Sequence, residues 1–155
     1  MSTSGNDANP GTQAQPFRTL AKGYASAAAG DTVILRGGTY SERLILSKAS
    51  ITLRSFPGET AKVAQATSNA GVEETIYFLS TAAGGRLIGL EVTGGYEYAV
   101  KVDASGVVLQ DCSFHDTGRD VVKIVPRADN VLIERCEVYN SGMRDPSNAE
   151  GIDNT

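Results

Sequence analysis

The chain has no tryptophan, one histidine and two cysteines among its 155 residues. No set of His and Cys partners at zinc-ligand spacing surrounds the cysteines, so a structural zinc site does not organise this fold. No apolar run approaches the roughly 20 residues that cross a bilayer, which excludes a membrane-spanning helix. The basic residues are scattered without a basic run and the formal net charge is −4, which argues against nucleic acid as a partner. Met1 leads directly into polar Ser2-Thr3-Ser4-Gly5 with no apolar stretch of the signal-peptide kind. Such a start suits a mature secreted domain and a cytosolic protein equally. What remains is 17 glycines, little charge and many Val, Ile, Leu and Thr, the composition of a β-rich single domain with tight turns.

The second half repeats itself. Leu90-Glu91-Val92 is answered by Cys112-Ser113-Phe114 and by Cys136-Glu137-Val138, at steps of 22 and 24 residues. Ala99-Val100-Lys101-Val102 returns as Val121-Val122-Lys123-Ile124 and as Gly151-Ile152-Asp153-Asn154. Leu87, Leu109 and Ile133 keep the same spacing. Short apolar runs recurring at this period, three strands to a repeat with no helical stretch between them, are those of a solenoid, and predict an all-β parallel β-helix. Equivalent positions in successive coils stack about 4.8 Å apart. Cys112 and Cys136 therefore belong to one inward ladder, as small packing residues rather than a disulfide or metal pair.

Residues 2–16 read as an extended lead-in. Phe17, Leu20, Ala21, Tyr24, Ala25 and Ala28 recur at helical spacing, and predict a capping helix over 17–29 with Pro16 at its start, Gly30 at its stop and an Ala-rich face against the first coil. Strands are expected at 33–36, 44–46, 51–53 and 76–79, with a turn at 37–40 and a long loop over 54–72. In the third copy of the Lys123-type strand the spacing grows, and residues 142–150 form an insertion that must project from the coil. The chain reaches Thr155 within a strand and with no polar cap. This predicts the N-terminal portion of a longer β-helix, or an end covered by another chain.

Ser4-Gly5-Asn6-Asp7-Ala8-Asn9-Pro10-Gly11-Thr12, Pro16-Phe17-Arg18-Thr19-Leu20, Gly30-Asp31-Thr32-Val33 and Gly37-Gly38-Thr39-Tyr40 resemble the opening of secreted right-handed parallel β-helix proteins, most of all the family 9 pectate lyases. Gly89-Leu90-Glu91-Val92-Thr93, Phe114-His115, Lys123-Ile124, Tyr139-Asn140, Asp145-Pro146 and Ala149-Glu150-Gly151-Ile152 follow in that family's order. The resemblance implies a secreted protein acting on acidic polysaccharide. It also implies calcium and a lysine base that abstract the proton α to a uronate carboxylate, after which β-elimination breaks the glycosidic bond. A cation is needed there to neutralise the carboxylate and the charge that develops, and a lysine serves as base only if its surroundings lower its pKa. Of the family's calcium ligands only the Asp of an Ala-Asp-Gly-aromatic phrase falls on this chain, where Glu150 stands in its place. The family's Asp-Asp-Gly-x-Asp cluster and its lysine are expected in coils beyond Thr155.

The residues offer these candidates. Lys101, Lys123 and Asp153 are equivalent in successive coils and predict one outward column, either the floor of a uronate groove or an ordinary inter-coil ion pair. Arg119 and Asp120, in the turn before the Lys123 strand, are candidates for sugar binding or a solvated turn. His115 with Asp116 and Lys123 are candidates for acid–base chemistry, and His115 also reads as structural. Asp145, Glu150 and Asp153 form the candidate calcium cluster. Two competing readings stand beside the lyase. One is a carbohydrate-binding or adhesin module with exposed Tyr96 and Tyr98 contacting sugar. The other is a solenoid that forms homo-oligomers through its uncapped C-terminal end.

Overall fold

A computed structural model describes residues 1–155. Fifteen short strands wind through five coils. The first coil holds β1 (Thr32–Leu35), β2 (Gly38–Tyr40) and β3 (Leu44–Leu46), and the second β4 (Thr52–Ser55), β5 (Ala61–Ala64) and β6 (Glu74–Phe78). The third holds β7 (Arg86–Ile88), β8 (Leu90–Thr93) and β9 (Tyr98–Val102), the fourth β10 (Val108–Gln110), β11 (Ser113–His115) and β12 (Val122–Ile124), and the fifth β13 (Leu132–Glu134), β14 (Glu137–Tyr139) and β15 (Ile152–Asp153). Each strand pairs in parallel with its counterparts in neighbouring coils. This makes three five-stranded sheets: a first of β1-β4-β7-β10-β13, a second of β2-β5-β8-β11-β14 and a third of β3-β6-β9-β12-β15.

The register explains the repeat. Leu53, Leu87 and Leu109 stack inside the first sheet, Val63, Val92 and Phe114 inside the second, and Ile76, Val100 and Val122 inside the third. All nine are buried in one continuous core. Identical phrases recur because identical positions meet identical neighbours one coil away. Cys112 and Cys136 are free; Cys112 is buried, and burial pushes its thiol up to about 12.

Corners are set by residues in the left-handed region. Between the first and second sheets, Gly89, Asp111 and Arg135 occupy equivalent places with φ of 64°, 53° and 52°. A bulky Arg is costly there. Arg135 holds this conformation while its Nε donates to Asp111 Oδ1 at 2.6 Å and its Nη2 to Oδ2 at 3.2 Å, joining two corners of successive coils. Gly94 is required twice over. Its φ is 77°, and a Cβ would lie 1.7 Å from the Gln65 carbonyl oxygen.

Several expectations need correction. The capping helix, α1, spans only Leu20–Ser26. Thr19 caps it, its Oγ1 accepting from Lys22 N at 3.1 Å, and Glu42 accepts from Leu20 N and Ala21 N at 3.0 and 3.1 Å. Side-chain caps therefore replace Pro16 as the start signal. Its buried face is Leu20, Gly23 and Tyr24, not the alanines, because Tyr24 Oη takes hydrogen bonds from Ser47 N and Lys48 N. Residues 38–40 are a strand rather than a turn, and the expected 54–72 loop contains β5, since Ala61 and Val63 are buried in register with Leu90 and Val92.

Candidate functional site

The turns that lead from the second sheet into the third differ most between coils, so the third sheet's outer face and these turns form the variable side of the helix. Here Lys101 pairs in register with Tyr77 and Lys123, and Lys123 with Asp153. The predicted outward column exists, and it is tied up. Lys101 Nζ donates to Glu73 Oε2 at 2.8 Å and lies 5.3 and 5.6 Å from the Tyr77 and Tyr98 ring centres. Burial works to lower the Lys101 ammonium, but the bond to Glu73 and its charge outweigh it and raise it above the ordinary lysine value, the opposite of what a general base needs. Lys123 Nζ donates to Asp153 Oδ2 at 2.5 Å and to Thr155 O and Oγ1, both at 3.0 Å, which uses all three of its donors. Burial pushes the Asp153 carboxyl up, and the bonds from Lys123 and Thr155 bring it net below the usual carboxylate range.

At the entrance to the third sheet stands a second, more deeply set column. Glu74 pairs in register with Tyr98, and both are buried. Arg43 Nε donates to Glu74 Oε1 at 3.1 Å, whereas Glu74 Oε2 has no partner. Burial raises the Glu74 carboxyl against the pull of Arg43. Its neighbour Glu73 is held low by the Lys101 bond. One coil beyond Tyr98, Asp120 is also buried. Its Oδ1 accepts from Glu150 N at 2.9 Å, and its Oδ2 has no hydrogen-bond partner. Arg119 reaches Asn148 O at 3.2 Å and Glu97 Oε2 at 3.4 Å, with Asp120 Oδ2 at 3.5 Å. Arg119 and Asp120 are thus neither a solvated turn nor an open sugar clamp; they moor the 142–150 insertion. Arg144 completes the mooring, lying 3.9 Å from the Tyr96 ring centre with Nε donating to Tyr96 O at 3.3 Å. The expected exposure of Tyr98 is also corrected: its ring is buried, and Tyr96 sits beneath Arg144.

The expected calcium cluster does not form. Asp145 Oδ1 accepts from Ser147 Oγ at 2.9 Å, Asp153 is engaged by Lys123 and Thr155, and Glu150 is exposed on the insertion. No group of three or more His, Cys, Asp or Glu is placed to hold a metal. Calcium requires six to eight oxygens, so these residues do not fit the ion by themselves. His115 stands elsewhere, at the end of β11 on the second sheet with both ring nitrogens facing carboxylates. The structure therefore gathers Lys101, Lys123, Asp153, Arg119, Asp120 and Glu150 on one side and leaves His115 out.

Glu73, Glu74 and Glu97 were not singled out from the sequence. The signal was present: Glu73-Glu74, Glu97-Tyr98 and Arg119-Asp120 all immediately precede or open the third-sheet strand of their coil. Seeing it requires the repeat to be carried back across the variable turn at 65–73.

A family model described as "Pel9A-like, right handed beta helix region" matches residues 1–154. The uncharacterized protein YwoF of Bacillus subtilis is 30% identical over 126 residues, covering 77% of this chain and 27% of that protein. The chain thus spans about a quarter of the length of this curated relative. Among solved structures, pectate lyase Pel9A superposes with a TM-score of 0.85 at 16% identity, over 98% of this chain and 42% of that one. The pectin methylesterase from Aspergillus niger gives 0.56 at 16% identity, over 81% and 54%. At these identities the superpositions establish the fold: the chain forms the parallel β-helix of Pel9A, and by its match over 1–154 it belongs to the Pel9A-like right-handed β-helix family.

Proposed function

We propose that the protein acts on acidic polysaccharide outside the cell, and that in the whole protein this activity is calcium-dependent β-elimination on pectate or a related uronan. The observation that carries this reading is the membership of residues 1–154 in the Pel9A-like family. The strip of charged side chains along the third sheet supports it, because a long polymer needs a long, continuous face. Within these coils no lysine is free to act as base: Lys101 is tied to Glu73 and Lys123 to Asp153. Nor do Asp145, Glu150 and Asp153 hold calcium together. The chemistry therefore calls for groups beyond those of this stretch, with Glu150 the one carboxylate it contributes at the family's ligand position.

A second reading, a module that binds polysaccharide without cleaving it, is favoured by the closure of every cation on the strip by a carboxylate. The two separate in one experiment. The chain, and the same chain extended to the length of its relative YwoF, are incubated with polygalacturonate or alginate, with and without calcium, and the ultraviolet absorbance of the unsaturated product is followed. A calcium-dependent rise from the longer protein supports the lyase. Binding with no rise from either protein establishes the module, and neither binding nor cleavage removes both.

A further inference from the structure

The outer face of the first sheet takes no part in the chemistry above, and it carries two cations without anions. Alternation buries Leu53 and Leu87 in the core and turns Thr52, Arg54, Arg86 and Ile88 outward. Six of the chain's nine arginines are held by carboxylates. The other three are Arg18, ahead of α1, and Arg54 and Arg86 on this face. The carboxylates that border the face are already committed, Glu59 to Arg36 and both Asp111 and Glu134 to Arg135. Arg54 pairs in register with Ile34 on one side and Ile88 on the other, and its Nε is buried with no hydrogen-bond partner.

The two arginines are placed to act together. Thr52 pairs with Arg86 and Arg54 with Ile88, so they sit in adjacent coils, offset by two residues. A coil step of about 4.8 Å and two residues of about 3.3 Å each put their Cα atoms roughly 8 Å apart. A guanidinium is a planar fork of N–H groups that matches a carboxylate, and a buried donor without a partner is costly. The pair therefore calls for two carboxylates carried on one ligand. Around it lie Ile34, Ile88 and Val108, which give aliphatic surface for the C–H groups of a ring. Ile34 also lines a cleft of about 340 Å³ with Gln13, Phe17 and Phe56, so the face runs into a concave site at the capped end.

We propose that the outer face of the first sheet is a second uronan-binding surface, on which Arg54 and Arg86 each take a carboxylate of one polysaccharide strand. The inference rests on the reading of the protein as active on acidic polysaccharide, and adds a surface on a different face from the third-sheet strip. Charge complementarity selects this occupant, since two unpaired cations stand on a chain of net charge −4. A second copy of the chain fits less well. The outward strip of five strands measures about 19 Å by about 10 Å. That is about 200 Å², well short of the roughly 800 Å² per partner that a stable protein interface uses. Nucleic acid engages many phosphates and needs more cations than two. A sugar strand needs only a narrow track with anions at intervals. Polymer held here stays close to the third-sheet strip, which raises its effective concentration there.

Titration of the protein with a de-esterified oligogalacturonate, followed by calorimetry and by backbone amide resonances, tests this. The amides of Arg54, Arg86 and Ile88 should shift, and the affinity should fall as salt is added. Arg54→Met keeps an unbranched stem between the isoleucines, and Arg86→Gln keeps a polar one; each should weaken binding roughly tenfold, the loss of one charge-assisted contact. Arg54→Lys keeps the charge without the fork and should weaken it by less. Stability to urea should not fall in Arg54→Met, because its Nε has no partner to lose. A fully methyl-esterified oligomer, which offers no carboxylate, should leave the first-sheet amides unshifted. The proposal is overturned by shifts confined to third-sheet amides such as Lys101 and Lys123, by unchanged affinity in both arginine variants, or by no binding at all. Weaker binding that tracks a loss of stability overturns it too. Third-sheet shifts, or cleavage by the longer protein without first-sheet shifts, would leave the polysaccharide reading standing. First-sheet binding without cleavage would remove the lyase and keep this surface.

Discussion

Asp120 is where sequence position, burial and the insertion meet, and truncating it gives a sharp test of the site. Its carboxylate is 1% exposed, with Oδ1 accepting from the Glu150 amide at 2.9 Å. A hydrogen bond to a charged group contributes about 1.5–3 kcal/mol. Asp120→Ala removes it, and also leaves Arg119 with Glu97 and Asn148 O alone. Working the other way, the substitution eliminates Oδ2, a buried oxygen with no hydrogen-bond partner and only the Arg119 guanidinium at 3.5 Å to offset it, whose burial costs up to about 1–3 kcal/mol. The two effects nearly cancel in global stability, so the expected change in unfolding free energy is below about 1 kcal/mol. Locally they do not cancel, because the bond to Glu150 N holds the far end of the insertion, beside the contacts of Arg119 and Arg144 nearer its middle and root. The Glu150 amide should therefore exchange roughly tenfold to a hundredfold faster in Asp120→Ala, while core amides such as Val100 keep their protection. Asp120→Asn, which retains an Oδ1 acceptor, should lose far less. Protein-wide destabilisation of several kcal/mol, or unchanged exchange at Glu150, would refute the assignment of Asp120 as the anchor of this loop.

Phe114 is fully buried between Val92 and Val138 in the second sheet, so Phe114→Ala should cost about 3–5 kcal/mol in urea unfolding; a loss under about 1 kcal/mol would show that the coils can collapse around the gap. Cys112, with its thiol pushed up to about 12 by burial, should resist thiol reagents at neutral pH until the protein unfolds. Labelling of native Cys112 at the rate of a free thiol would contradict this. Asp153 is net held below the usual carboxylate range, burial opposing the Lys123 and Thr155 bonds that outweigh it. Its contribution is present above about pH 4, the ordinary carboxylate value, and is lost as pH falls through the lower folded value. Acidification below about pH 4 should thus loosen the β12–β15 pairing before the first coils, observable as early loss of the Val122 amide's protection.

The parts of the fold that were legible share one cause. A parallel β-helix makes each residue's neighbours the residues one coil away, so Leu87, Leu109 and Ile133 had to rhyme, and so did Val100 and Val122. Where the coil keeps its length, the period is readable directly. Where a turn grows, as at 65–73, the period is interrupted, and β5 is hidden within an apparent loop even though Ala61 and Val63 pack as well as their counterparts. The first coil shows another limit. Gly38-Thr39-Tyr40 carries turn residues, but pairing with Ala61–Val63 makes it a strand, because a long-range partner outweighs local preference.

Of the site, the sequence alone determined the column: an outward Lys101, Lys123 and Asp153, and an insertion before the last strand. That follows from side-chain alternation along a strand and from counting residues between repeats. Only the tertiary structure decided what the column is able to do. Whether a lysine is a free base or a satisfied cation depends on which carboxylate lies within 3 Å of it, and Glu73, 28 residues from Lys101, is brought there by a turn whose path no repeat encodes. The same holds for His115, ordinary in sequence, which becomes the meeting point of Glu91, Asp116 and Tyr139 only once the coils are stacked. Periodicity records which positions are equivalent; the chemistry depends on distances across coils, and those are set by turns that differ from one coil to the next.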